Sequence, residues 1–71
     1  MHPATEHLMQ YFTYAHLREP LKEISRQCSN LAEYMAETLP ANPETTAGLR
    51  KLLEAKDCFV RAQLSKGDSD G

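Results

Sequence analysis

A short segment of rings followed by cations contains the residues of this chain best suited to binding chemistry. The rings occupy four of six consecutive positions, at Tyr11, Phe12, Tyr14 and His16. Lys22 and Arg26 follow at a spacing of four, which places both on one face of a helix. A tyrosine face stacks on a nucleobase with roughly 1–3 kcal/mol, and an arginine holds a phosphate through two parallel hydrogen bonds. The segment therefore suggests a nucleotide site, with Tyr14 for stacking because it falls where the helical pattern breaks.

The same residues also have purely structural interpretations. Phe12 can anchor a short first helix in the core, and the lysine–arginine pair can be an ordinary solvated helix face. A second candidate anion site consists of Arg50, Lys51 and Arg61. These cations can equally be solubilising charges with acidic companions one turn away.

Residue patterns for catalysis or for metal binding are missing from the sequence. It contains no glycine-rich phosphate loop, no G-x-S-x-G and no H-E-x-x-H. The histidines at positions 2, 7 and 16 are five and nine residues apart, so no two share a helical face. Cys28 falls in an apolar stripe, and Cys58 is out of register with it for a disulfide. We therefore predict a non-enzymatic protein that uses no cofactor and no metal.

Length and composition restrict the class of protein further. The chain has 71 residues, 41% of them apolar and 25% charged, which suits one small folded domain. A single core of this size seldom supplies more than about 3–5 kcal/mol, so self-association is the expected source of further stability. The formal charge of −2 argues against binding to duplex nucleic acid. The sequence has only two cysteines, no apolar run of roughly 18 residues and no signal-peptide pattern. It therefore predicts a soluble cytoplasmic protein without a membrane partner.

Proline and asparagine residues divide the chain into three predicted helices, at about 3–13, 19–39 and 43–65. The second carries an apolar heptad stripe, formed by Leu21, Ile24, Cys28, Leu31 and Met35. The third has a strong start signal, because Asn42 can cap the first turn and Pro43 suits the first helical position. Residues 1–66 are thus predicted to form one domain, and residues 67–71 a flexible tail.

A turn of only a few residues between the two long helices requires them to run antiparallel. The register then pairs Leu31 with Leu52 and Ile24 with Phe59. It also places a row of small residues on the third helix for close approach, at Gly48, Ala55 and Ala62. The remaining apolar residues are predicted to form an oligomer surface that the first helix partly covers: Met9, Phe12, Tyr34, Leu53, Val60 and Leu64. The predicted fold is all-α, with a short N-terminal helix and a long antiparallel helical hairpin that assembles into a homo-oligomer.

Several short runs occur in an order that resembles a family of small phage proteins. They are Tyr11-Phe12-Thr13-Tyr14-Ala15-His16-Leu17, Leu31-Ala32-Glu33, Leu39-Pro40 with Pro43-Glu44, and Leu49-Arg50 with Leu53-Glu54-Ala55 and Arg61-Ala62. The family comprises the anti-CBASS type 2 and Thoeris anti-defence type 1 cyclic-nucleotide sponges, which share a helical-hairpin core. The resemblance extends over about residues 8–64 and rests on the order and spacing of the runs.

The resemblance implies a function without catalysis. Members of the family assemble into oligomers, typically hexamers. Their inter-subunit pockets sequester cyclic di- or trinucleotide immune signals intact, which inhibits anti-phage signalling in the host bacterial cytoplasm. Tyr14 matches the family's base-stacking tyrosine. The family's ligand-contacting lysine falls near Ser29 in this chain, and Arg26, one turn earlier, is its nearest substitute. Arg50 lies within a residue of the arginine that serves a second, trinucleotide pocket.

Two other functions are consistent with the same sequence. A small helical protein–protein interaction or assembly module of a phage, with no nucleotide ligand, would bind another protein through the rings and the spare apolar face. A small nucleic-acid binder is disfavoured by the acidic charge balance. Mutation of Tyr14 and Arg26 separates the sponge from the interaction module. A sponge would lose its ligand and keep its assembly, whereas an interaction module would lose its partner or its assembly.

Overall fold

The computed structural model describes residues 3–65, and this part of the chain is all-helical. Helix α1 is Pro3–Met9, α2 is Leu21–Thr38 and α3 is Pro43–Ser65, and a 3-10 turn at Gln10–Phe12 follows α1 directly. The all-α class predicted from the helical spacing is confirmed. Within the described residues, the helices lack the continuous apolar length that a bilayer crossing requires. The predicted tail at 67–71 lies outside the described residues.

The first helix is shorter than its predicted range of 3–13. The α-helix stops at Met9, the next three residues tighten into the 3-10 turn, and Thr13 is extended, with ψ 147°. A second turn follows, in which the Leu17 N–H donates to the Tyr14 carbonyl at 3.0 Å. The ring-rich segment therefore lies on two consecutive turns rather than on a helix.

Prolines set both ends of α2, which is slightly shorter than the predicted range of 19–39. Pro20, which has no N–H to contribute, is the N-cap residue, and the helix proper begins at Leu21. At the other end Leu39 is extended, with ψ 154°, because a residue that precedes a proline avoids the helical region. The Leu39 N–H still completes the last turn by donating to the Met35 carbonyl at 3.0 Å.

The start of α3 has the cap that the sequence predicts. The Asn42 Oδ1 accepts a hydrogen bond from the Thr45 N–H at 3.0 Å. The buried Thr45 hydroxyl lies 2.7 Å from the Pro40 carbonyl and 3.2 Å from the Asn42 Oδ1. These bonds attach the four-residue connection after α2 to the first turn of α3.

The core brings together all three helices and the 3-10 turn. Its buried apolar residues are Leu8, Phe12, Cys28, Ala32 and Leu49. Ala32 is fully buried and Phe12 is 1% exposed. Since Phe12 belongs to the 3-10 turn, the N-terminal segment is held on the two long helices by a large side chain.

The buried face of α2 is rotated from the predicted stripe. It consists of Ser25, Cys28 and Ala32, spaced by three and four residues. Leu31, which was expected in the interface with α3, is 45% exposed, and Phe59, the expected partner of Ile24, is 54% exposed. Leu31 and Leu52 still line one groove, and α1 and the 3-10 turn also pack on α2. The most buried face of α2 therefore turns toward the place where all these elements meet.

The predicted row of small residues on α3 does not provide the close helix contact. Apart from its chain neighbours and the backbone of its own helix, a Cβ atom on Gly48 would meet no atom of the described residues within 4 Å, and Ala62 is exposed. The small side chains at the centre of the core are instead Cys28 and Ala32 on α2. Small residues are thus used for close packing, but on the opposite helix from the one predicted.

The predicted oligomer surface needs a similar correction. Phe12 is a core residue, and Met9 and Leu53 pack partly buried against the core. Tyr34 and Leu64 are each 60% exposed, as the prediction requires. The large exposed apolar side chains of the described chain are Tyr11, Leu31, Tyr34, Leu39, Phe59 and Leu64.

Candidate ligand-binding cleft

An open cleft of about 380 Å³ lies between the ring-rich turns and the second half of α3. It brings together three of the predicted ligand residues, Tyr11, His16 and Arg61. Its other lining residues come from the turns, α2 and α3: Gln10, Thr13, Leu17, Ser25, Lys56, Asp57 and Val60. Residues that are far apart in sequence thus form one site with both rings and cations.

Lys56 is the central cation of this cleft and was not among the predicted ligand residues. Its side chain is 13% exposed, and its Nζ donates to the Tyr11 carbonyl at 2.9 Å and lies 3.5 Å from the Asp57 carboxylate. The sequence does contain a signal for it. Lys56 is seven residues after the buried Leu49, so it falls on the inward face of α3, where a cation needs a partner.

A second residue of the cleft was missed because it is neither apolar nor charged. Ser25 is fully buried, and its Oγ makes no hydrogen bond with any of residues 3–65. It lies one turn before Cys28 on the same face of α2. Burial raises the pKa of the Cys28 thiol, and the nearby Lys56 ammonium opposes that rise. The interior beside the cleft therefore contains a neutral thiol and an unpaired hydroxyl close to one ammonium group.

The cleft is positively charged in a chain that is negative overall. Lys56 and Arg61 contribute two cations against the single carboxylate of Asp57, whereas the whole chain carries −2. The Arg61 Nη2 lies 3.3 Å from the Cys58 Sγ, and sulfur is a weak acceptor. Because Arg61 is exposed and held only by this weak bond among the described residues, its guanidinium can turn to a ligand.

One of the two rings of the cleft is held by a neighbouring ring. The Tyr11 ring packs edge-on against His7, with 5.8 Å between the ring centroids and an angle of 81° between the planes. Half of Tyr11 nonetheless remains exposed. His16 is exposed on the second turn. Both rings therefore keep a surface on which a base can stack.

Tyr14 lies in a different hollow. That hollow has a volume of about 440 Å³, and its lining includes Phe12, Ser29 and Glu33 but none of the predicted cations. Phe12 contributes to its floor and is otherwise buried in the core, so the prediction of Phe12 as a ligand residue does not suit its position. Ser29 lines the same hollow as Tyr14.

Arg26 is already engaged by a carboxylate of its own helix. Its Nε donates to the Glu23 Oε1 at 2.9 Å, and its Nη2 donates to the Glu23 Oε2 at 2.5 Å. The Gln27 amide also donates to the Glu23 Oε2, at 2.8 Å. The hydrogen bonds from Arg26 and Gln27 lower the pKa of Glu23, and the bond to Glu23 raises the pKa of Arg26. The two-pronged bond predicted for a phosphate is thus made to Glu23.

The remaining predicted cations are separate from the cleft. Arg50 lines a hollow of about 380 Å³ at the start of α3, together with Ala41, Asn42 and Thr46. Lys22 is partly buried on α2 and lines neither the cleft nor the hollow beside Tyr14. The structure therefore joins Arg61 to the rings and leaves Lys22, Arg26 and Arg50 at other places.

Comparisons with known proteins add no relative. No protein-family model, curated protein or solved structure matches this chain. Among residues 3–65, no group of three or more histidine, cysteine, aspartate or glutamate side chains is arranged to hold a metal ion. The geometry of the cleft therefore carries the functional argument.

Proposed function

We propose that the protein sequesters cyclic di- or trinucleotides without cleaving them and so inhibits bacterial anti-phage signalling. The observation that carries this proposal is the single cleft that joins the rings of Tyr11 and His16 to the cations of Lys56 and Arg61. A cyclic oligonucleotide alternates bases, which stack on rings, with phosphates, which take charge-assisted hydrogen bonds. The cleft offers both kinds of partner at one place.

The charge distribution favours a small anion over a long one. A positive cleft attracts a compact ligand that carries a few phosphates. A duplex would also meet the acidic remainder of a chain whose net charge is −2, and it would need many more phosphate contacts than one cleft supplies. The proposed ligand is therefore a free cyclic oligonucleotide rather than a nucleic-acid strand.

In this proposal, α2 and α3 form an antiparallel hairpin, and copies of the chain assemble into a homo-oligomer such as a hexamer. Support comes from exposed apolar side chains that a single small domain leaves uncovered, including Leu31, Tyr34 and Phe59. The hollows beside Tyr14 and Arg50 are open to solvent in one chain. A neighbouring copy that closes them would provide the enclosure that tight binding requires.

The direct test is a titration of the purified protein with a panel of cyclic di- and trinucleotides, followed by native mass spectrometry. The expected result is a complex with at least one ligand at a Kd of about 1 µM or lower, which corresponds to about −8 kcal/mol. Proteolysis should then release that ligand with its mass unchanged. Failure to bind any member at about 1 mM would overturn the proposal, and release of a cleaved product would indicate an enzyme.

Two arginine variants make the test specific for the cleft. Arg61→Gln removes a cation at the rim of the cleft and should weaken binding at least about tenfold, as expected for a lost charge-assisted contact. Arg18→Gln removes an exposed arginine that does not line the cleft and is the matched control. Equal affinities of the two variants would place the ligand elsewhere on the chain.

A second candidate function is an assembly module without a nucleotide ligand. An apolar groove of about 280 Å³ favours it, lined by residues that include Leu31, Met35, Leu39 and Leu52. Leu31→Glu should abolish oligomers in analytical ultracentrifugation under either function. Only the assembly module predicts that a Tyr11→Ala, Arg61→Gln double variant of the cleft loses its partner or its assembly, while the sponge predicts intact oligomers with weaker ligand binding.

A further inference from the structure

The floor of the cleft contains two groups whose bonding capacity is not fully used. Ser25 Oγ is buried without a hydrogen-bond partner among residues 3–65, although a hydroxyl carries one donor and two acceptor positions. Lys56 Nζ has three donors, and within the same residues its partners are the Tyr11 carbonyl and the Asp57 carboxylate. An unpaired hydroxyl on α2 and an ammonium with a spare N–H on α3 therefore line one cavity.

We propose that this floor is an oxyanion subsite, in which Ser25 Oγ and Lys56 Nζ together hold one phosphate group. The inference rests on the proposed function for the identity of the ligand and goes further by assigning its phosphate to these two residues. A phosphate oxygen can accept from both the hydroxyl and the ammonium, and each bond to the charged oxygen is stronger than one between neutral groups.

The surrounding residues are consistent with an anion at this place. Arg61 at the rim adds a second cation. Asp57 is the one carboxylate in the lining, and it is half-exposed and paired with Lys56, so its charge is solvated and partly compensated. Ser25 Oγ has no contact with solvent, so the side chains over the floor shift when a phosphate enters. The lysine side chain is flexible enough to provide that movement.

The natural test compares matched variants of the full chain with two probes. Inorganic phosphate is followed by amide NMR shifts of α2 and α3, and a cyclic dinucleotide is followed by calorimetry. Lys56→Gln should weaken both probes at least about tenfold. Arg18→Gln removes one positive charge from an exposed position that does not line the cleft and should stay within about twofold of the unmodified chain.

Ser25→Ala provides the second variant and keeps the proposal testable if Lys56→Gln unfolds. Removal of a buried hydroxyl without a partner should leave the melting temperature unchanged or higher, since that hydroxyl contributes no bond in the free protein. The same change should weaken binding of both probes about threefold or more, because the bound phosphate loses a donor. A higher melting temperature together with weaker binding supports the subsite.

The outcomes separate this inference from the proposed function. If the unmodified chain binds a cyclic dinucleotide and both Lys56→Gln and Ser25→Ala bind it equally well, the subsite is wrong and the function stands. If the chain binds inorganic phosphate through Lys56 and Ser25 but binds no cyclic oligonucleotide, the subsite is right and the function is wrong. If neither inorganic phosphate nor the cyclic dinucleotide binds, the subsite and the proposed function are both wrong.

Discussion

Lys56 Nζ donates to the carbonyl oxygen of Tyr11 at 2.9 Å, a hydrogen bond between residues 45 positions apart. The bond fastens the 3-10 turn to the middle of α3, and both of its residues line the cleft. A lysine in this position has two roles in our account. It holds the ring-rich segment in the free protein, and it supplies charge to an anion in the bound one.

Lys56→Met should lower the free energy of unfolding by about 1 kcal/mol, since the Tyr11 carbonyl loses a charged donor while the aliphatic stem is kept. Urea denaturation followed by circular dichroism measures the change. Lys51→Met, on the exposed side of the same helix, should shift the value by less than about 0.5 kcal/mol. Equal stabilities of the two variants would show that the bond to Tyr11 contributes nothing to folding.

Phe12 anchors the N-terminal segment in the core, and the residue is 1% exposed. Phe12→Leu should cost about 1–2 kcal/mol, and Phe12→Ala about 3–5 kcal/mol, which is comparable to the whole stability of so small a domain. Phe59→Leu is the control, because Phe59 is 54% exposed. At a low protein concentration, where assembly is minimal, this control should change the unfolding free energy by less than about 0.5 kcal/mol.

The cap of α3 gives a prediction in which the variant and its control change in opposite directions. Asn42→Ala removes the acceptor of the Thr45 N–H and should destabilise the chain by about 1 kcal/mol. Asn30→Ala replaces an exposed asparagine in the middle of α2 by a better helix former. It should stabilise the chain by roughly a few tenths of a kcal/mol. Thermal denaturation of both variants measures whether stability falls for Asn42→Ala and rises for Asn30→Ala. An unchanged melting temperature for Asn42→Ala would show that the cap does not stabilise α3.

Glu23 should contribute to the acid sensitivity of the fold. Its hydrogen bonds with Arg26, and next with Gln27, lower its pKa below the ordinary value of 4.5. The folded chain therefore favours the charged form. The resulting stabilisation is present above pH 4.5 and is lost as the pH falls from there through the lowered pKa of the folded state.

Glu23→Gln should accordingly flatten the fall in unfolding free energy between neutral pH and about pH 3. Glu37→Gln, at an exposed position of the same helix, controls for the loss of one negative charge. Denaturant titrations at several pH values provide the measurement. The same slope in both variants would contradict the assigned role of the Arg26 and Gln27 hydrogen bonds.

Much of the local structure could be predicted from the sequence because its causes are local. Asn42 and Pro43 specify the start of α3, and Pro20 and Pro40 limit α2. The rotation of α2 about its axis could not be predicted in the same way. It depends on where α1 and the 3-10 turn pack, and the apolar spacing of α2 alone favours a face that includes the exposed Leu31.

The candidate site could be predicted only in part, because the sequence shows the chemistry of each side chain but not its neighbours in the fold. Tyr11, His16 and Arg61 were chosen for their chemistry, and the structure brings them together. Lys56 was missed because its spacing from Leu49 indicates an inward face of α3 but not what that face meets. Ser25 was missed because an isolated serine carries no pattern until the helices are packed. Arg26 shows the converse, because its partner Glu23 lies only three residues away and its spacing permits an ion pair as readily as a ligand contact.

Ala32 has no side chain beyond its Cβ and is fully buried in the cluster that contains Phe12. A bulkier residue there would displace the aromatic anchor, and with it the Tyr11 carbonyl that receives the lysine. The shape of the proposed binding cleft therefore depends on a methyl group that does not line it. Variation at this one buried alanine would reshape the cleft while every surface residue stayed the same.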